Sequence, residues 1–203
     1  MFRKILIGIS ILIGIGLVAF IGWFLMIISA FGAFDQDYSI TELKENFEKN
    51  KTEIYELKRY FNEIVPKGRF VEIEFDNDNT LFRFGIKDIS SSSPMFLEWD
   101  LKTNTSRMDS IIKPIGWTRE TLKTLKEKLD NADCIQIESG EPTKIGFKRS
   151  GMGMYSFNIF DQSIPENLKQ QYNDSCSYIF ANERLVLEYA GGAKGGQCFY
   201  NMK

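Results

Sequence analysis

The chain has 203 residues, 43% of them hydrophobic and 14% aromatic, which suits one packed domain and is unlike a disordered tail. Its 25 basic and 27 acidic residues leave a net charge of −2, which argues against nucleic acid as a partner. There is no histidine, and that removes Ser-His-Asp and Cys-His nucleophile systems, histidine acid–base catalysis and nearly all catalytic zinc sites.

From Ile5 to Phe34 no residue is charged, and only Ser10 and Ser29 are polar. A spanning helix needs roughly 20 apolar residues, and a signal-peptide core about 7–15. The pattern therefore predicts a cytoplasmic N-terminus at residues 1–4, a single transmembrane anchor at 5–34 held in a lipid bilayer, a linker at 35–38 and one extracytoplasmic domain over 39–203. Arg3 and Lys4 precede the run while Asp35 and Asp37 follow it; basic flanks stay in the cytoplasm, so the domain is expected outside, in the periplasm if the membrane is a bacterial inner one. Cleavage near Ala30-Phe31-Gly32 is the alternative to a permanent anchor. Ser10, Gly14, Val18 and Gly22 recur every fourth residue, a spacing that lets two helices pack closely, although glycine is common in membrane helices without any partner. Setting Arg3 and Lys4 aside, the rest of the chain carries about −4.

After the linker, Ser39-Ile40-Thr41-Glu42 has the form of a capping box. Ile40, Leu43, Phe47, Ile54, Leu57, Phe61 and Ile64 follow at alternating spacings of three and four, with Asn50 at the one polar seam position. This predicts a helix ending near Pro66-Lys67-Gly68. Its stripe either packs on the domain's own sheet or forms a short coiled coil with a second chain. Val71, Ile73 and Phe75 then alternate with Glu72 and Glu74, and Phe82, Phe84 and Ile86 resume the alternation after the turn residues 76–79, so a hairpin is predicted. A third strand is expected at 95–101, with Met95, Leu97, Trp99 and Leu101 on one face and Glu98 and Asp100 on the other.

A second helix begins after Trp117, capped by Thr118, with Leu122, Leu125 and Leu129 on one face. Strands are then expected at 134–138, around Ile145 and Phe147, at 155–159, at 178–181 and 185–189, and in a last segment through Phe199, with a short helix at 165–172. Short connections favour antiparallel pairing. The fold class is α+β: a predominantly antiparallel sheet packed against one or two helices, its other face partly wet.

Three cysteines allow at most one intrachain pair. Cys176 and Cys198 both fall in the C-terminal β segment and are the favoured pair, while Cys134 reads as a buried small hydrophobe. Gly191, Gly192, Lys194, Gly195 and Gly196 form a glycine-rich loop that is either a hairpin connection or a mobile binding loop. It lacks the hydroxyl residue that a phosphate loop places after its lysine. Asp76, Asp78 and Thr80 mimic the start of a calcium loop, but Leu81 and Lys87 stand where glycine and glutamate are needed. Ser110-Ile111-Ile112-Lys113 matches a Ser-x-x-Lys motif without its companions. Glu72/Glu74 and Glu98/Asp100 are acid pairs sharing a strand face, an ordinary feature of a solvated face and the two carboxylate pairs with a spacing open to catalysis.

No catalytic residue, cofactor or metal is assigned. The expected function is a non-catalytic binding or interaction domain that contacts another envelope protein or an envelope component, with homo-oligomerisation left open. The alternatives are a carboxylate-dependent hydrolase of envelope polymers and a small subunit or assembly factor of a membrane complex.

Overall fold

Ser39 opens the domain's first helix with a reciprocal cap: its Oγ accepts from Glu42 N at 3.2 Å, and Glu42 Oε2 accepts from Ser39 N at 2.7 Å. In the computed structural model, which describes residues 2–30, 34–190 and 198–199 (without the side chains of 2–12 and 30), two helices follow. They are α2 (Ile40–Lys49) and α3 (Lys51–Ile64). Asn50 separates them with φ −107° and ψ 21°, yet Asn50 N still donates to Asn46 O and Ile54 N to Asn50 O. The predicted single helix is thus bent at its one polar seam residue. The stripe itself is consumed within the chain, since Leu43, Phe47, Ile54, Leu57 and Phe61 are all buried in the core. That burial leaves the stripe unable to serve as a coiled-coil seam.

Among the described residues the strands are β1 (Arg69–Asn77), β2 (Thr80–Asp88), β3 (Phe96–Lys102), β4 (Gln136–Glu138), β5 (Thr143–Ser150), β6 (Gly153–Ile159), β7 (Tyr178–Asn182) and β8 (Leu185–Ala190). They form one sheet in the order β3-β2-β1-β4-β5-β6-β8-β7, with every paired neighbour antiparallel. Between β3 and β4 the chain forms α4 (Ser106–Ile112), a 3-10 turn (Lys113–Ile115) and α5 (Arg119–Asn131); α6 (Glu166–Lys169) precedes β7. The α+β class holds, but more helices than the expected one or two cover the sheet. Met108 and Ile112 of α4 join the residues of α2, α3 and α5 in one core over Val71, Ile73, Phe84, Ile137, Ile145 and Phe157. Trp117 closes one end, its ring against Phe61 and Phe84 and its Nε1 donating to Ile64 O at 2.8 Å.

β3 departs from the expected alternation. Leu101 is buried, whereas Leu97 and Trp99 are exposed. Asp100, between them, has φ +53°, and β2 carries a bulge at the matching level, where the register slips between Glu74 and Phe75. Such an irregularity re-aims the side chains beyond it, so one strand feeds Leu101 to the core and Trp99 to the opposite face. The C-terminal segment also differs. Cys198 and Phe199 have no regular structure; Phe199 N donates to Cys176 O at 3.1 Å, and its ring lies against Tyr155 and Tyr189.

The N-terminal expectation is corrected. α1 runs Phe2–Ala30, and its described side chains extend from Ile13 to Ser29, with most of the large apolar ones exposed. Among the described residues no helix is long and apolar enough to cross a membrane. The single-pass anchor over 5–34 and the extracytoplasmic placement inferred from it fall with that finding.

Candidate functional site

Helices α2 to α5 occupy one side of the sheet; the other side is largely polar, and its composition follows from strand register. Two rows of side chains cross it. One runs Leu97, Gly85, Glu72, Glu138, Lys144 and Asn158 through β3, β2, β1, β4, β5 and β6. The other runs Trp99, Arg83, Glu74, Gln136, Gly146 and Ser156 and continues to Glu188 on β8. At the far end this face is closed by a small apolar cluster of Phe160, Ile164 and Val186, with Leu168 of α6 packed against it. Towards β3 it stays open and forms a groove of about 590 Å³ whose lining includes Glu72, Arg83, Trp99, Glu138, Lys144 and Arg149.

Two glycines let long side chains lie flat across this face. A Cβ on Gly85 would lie 2.0 Å from Met95 Cε and 2.7 Å from Glu72 Cγ, and one on Gly146 would lie 2.7 Å from both Cβ and Oε1 of Gln136. Each glycine is thus opposite a long polar residue that lies across the sheet over it, which explains its place in a strand interior. Gly85→Ala and Gly146→Ala are each expected to destabilise the domain by about 1–3 kcal/mol, read as a lower urea midpoint. Unchanged midpoints would show that the long side chains simply move aside.

Charges on the floor are paired. Arg83 reaches Glu72 at 3.2 Å and Glu138 at 3.8 Å. Arg149 grips Glu74, only 2% exposed, with two bonds of 2.5 and 2.6 Å. Lys144 Nζ and Asn158 Nδ2 each donate to Glu188 at 2.8 Å, and Gln136 Nε2 donates to Glu138 at 2.6 Å. Ser156 Oγ, fully buried in the same row, has no hydrogen-bond partner among the described residues. At the rim Phe82 and Trp99 meet edge to face at 5.3 Å; the Arg149 guanidinium sits 4.5 Å from the Phe82 ring and that of Arg83 5.7 Å from the Trp99 ring. Trp99 remains 48% exposed.

Burial holds the Glu72 carboxyl above its ordinary range in spite of Arg83, and it does the same to Glu138 in spite of Lys144 and Arg83. An acid raised on folding contributes stability that is fully present below its unfolded value, near 4.5, and lost as pH rises through the folded one. Glu72→Gln, neutral at every pH, is therefore expected to raise the urea midpoint above wild type at pH 7, with the gap closing towards pH 4. A gap independent of pH would rule out the buried charge as its source.

The residues singled out in the sequence are scattered. Of the acid pairs, Glu72 lines the groove and Glu74 is buried on the same face, and both are ion-paired rather than solvated. Glu98 is bound to Arg107 at 2.6 Å, and Asp100 is exposed. Asp76 and Asp78 lie at the β1–β2 turn, where Asp78 meets Lys126 of α5 at 3.0 Å. Ser110 Oγ is spent on Arg107 O at 2.7 Å. Cys176 and Cys198 form a disulfide with Cα atoms 4.1 Å apart, and Cys134 is a buried free thiol pushed up by burial. Gly191, Gly192, Lys194, Gly195 and Gly196 lie outside the described residues, as does the side chain of Ser10. Gly14 and Gly22 have nothing within 4 Å of a would-be Cβ, and Val18 is 70% exposed, so no helix packs on that stripe among the described residues.

No protein-family model matches this chain, and neither a curated protein nor a solved structure does. The groove therefore rests on its own geometry. Its cationic members, Arg83, Lys144 and Arg149, were not singled out in the sequence, because charged residues on the polar side of a strand read as ordinary solvated surface. The signal that marks them is a mid-strand glycine opposite a long polar residue, twice.

Proposed function

We propose that this domain is a recognition module that holds a ligand in the groove on the polar face of its sheet and performs no bond chemistry there. The observation that carries this reading is Trp99, a half-exposed indole at the mouth of a groove whose charged floor is already paired and buried. A large ring left partly in water beside fixed polar groups suits ligand contact. The pairing of the acids with Arg83, Arg149 and Lys144 supports binding over catalysis, since none stands free to act as acid or base.

Trp23, Trp99 and Trp117 can be replaced together by 5-fluorotryptophan and followed by fluorine NMR against a fragment library of mixed charge. Fragments that bind are expected to shift Trp99 and leave the buried Trp117 in place. A library in which no fragment moves Trp99 would defeat the proposal.

One observation favours a second reading, a carboxylate-dependent hydrolase. Glu72 and Glu138 are direct cross-strand partners in the groove, both held above the usual carboxyl range. Partners of this kind have Cβ atoms about 4.5–5.5 Å apart, and paired acids roughly 5–10 Å apart serve glycoside hydrolysis. Bond cleavage that is lost in both Glu72→Gln and Glu138→Gln, while binding persists, would promote it over simple recognition.

A further inference from the structure

We propose that the ligand of this groove is a neutral, hydroxyl-rich chain, a glycan segment lying across the strands; this rests on the recognition reading above. The first argument is charge. Arg83, Lys144 and Arg149 stand against Glu72, Glu138, Glu74 and Glu188, so that each cation of the floor has a carboxylate beside it. An anion placed there meets a carboxylate beside every cation, and a cation meets the reverse, so a ligand with strong charge of either sign is repelled somewhere along the groove.

The second argument is hydrogen-bonding capacity. A carboxylate offers about four acceptor sites and a guanidinium five donors, and the internal pairs use only part of each. What remains is a mixed array of donors and acceptors fixed in place by burial. Hydroxyl groups, which donate and accept at once, satisfy such an array without displacing the ion pairs, and planar carboxylate, amide and guanidinium groups span neighbouring hydroxyls with two bonds. The Trp99 ring supplies the apolar face against which the C–H side of a pyranose stacks. Length agrees as well: β3 to β5 covers four strand spacings, about 19 Å at roughly 4.8 Å each, room for on the order of four pyranose rings.

The test uses the full chain carrying 5-fluorotryptophan, titrated with chitotetraose and maltotetraose as neutral probes, tetragalacturonate as an anionic one and tetralysine as a cationic one. At least one neutral tetrasaccharide is expected to shift Trp99 saturably, to leave Trp117 unmoved and to bind ten-fold or more tighter than either charged probe. Trp99→Ala, a rim substitution whose folding is checked by its unfolding midpoint and its unchanged Trp117 signal, is expected to weaken that binding at least ten-fold as measured by calorimetry. Charged oligomers binding as well or better would overturn the ligand class and leave the groove reading standing. Neutral sugars that move nothing, while fragments still move Trp99, would do the same. If neither sugars nor fragments move Trp99, both readings fail.

Discussion

Phe157→Ala is expected to destabilise the domain by about 4 kcal/mol, more than either glycine substitution in the groove. Phe157 has no exposed surface and sits on β6 where the sheet meets α2. Its ring centroid lies 5.4 Å from that of Phe47 and 5.9 Å from that of Phe147, and its strand neighbours on the core face are Ile145 and Leu187. Truncation loses the transfer of the ring from water and opens a void whose walls are held by two strands and a helix, so the site collapses little. Urea unfolding should show a lower midpoint at constant slope. A loss below about 1 kcal/mol would mean that Phe47 and Phe147 close the gap, and that this end of the core is loosely packed.

Removing the disulfide is expected to cost about 3 kcal/mol, the value for closing a loop of this order. Cys176 and Cys198 are 22 residues apart and enclose β7 and β8. The bridge also holds Phe199 over Tyr155 and Tyr189, whose own rings stack at 4.2 Å. Cys198→Ser, and wild type under reductant, should therefore unfold at matching lower urea concentrations, with Tyr155 and Tyr189 becoming more accessible before the global transition. Cys134→Ala serves as the control, since that thiol is buried and unpaired. Equal midpoints with and without reductant would contradict a stabilising role for the bridge. The pairing also agrees with an oxidising compartment, in which such bonds persist.

Much of the architecture was legible in the chain itself. Ser39 and Thr118 act as the helix caps their patterns imply, the apolar stripe from Leu43 to Phe61 lies against the sheet, and the β1–β2 hairpin turns at the expected residues. Local physics decides each of these: a side-chain oxygen within reach of a free N–H, a period of 3.6, a run of turn formers. Strand β3 was misjudged because the positive φ of Asp100 interrupts a period-two pattern that otherwise continues past it. Helix α4 escaped because seven residues carry too little periodicity. The groove lay further from view. Its members sit on several strands and come together only through register, so no window along the sequence contains more than a few of them. The N-terminal reading failed in the opposite way, by trusting a run of apolar residues, whereas among the described residues no helix is long and apolar enough to cross a membrane.

The strand order has a mechanical consequence. The chain's first three strands and its last five meet along one join, β1 against β4, with only three residue pairs in register: Glu72 with Glu138, Ile73 with Ile137 and Glu74 with Gln136. Strand β4 holds β5 by three pairs as well, so this short strand is the sheet's narrow waist, and the groove straddles it, drawing Trp99 and Arg83 from one bank and Lys144 and Arg149 from the other. An occupant would act as a strap across the seam. Backbone amide exchange at Ile73 and Ile137 should slow when the groove is filled, while exchange within the β6–β8 ladder, which lies wholly on one bank, stays as it was.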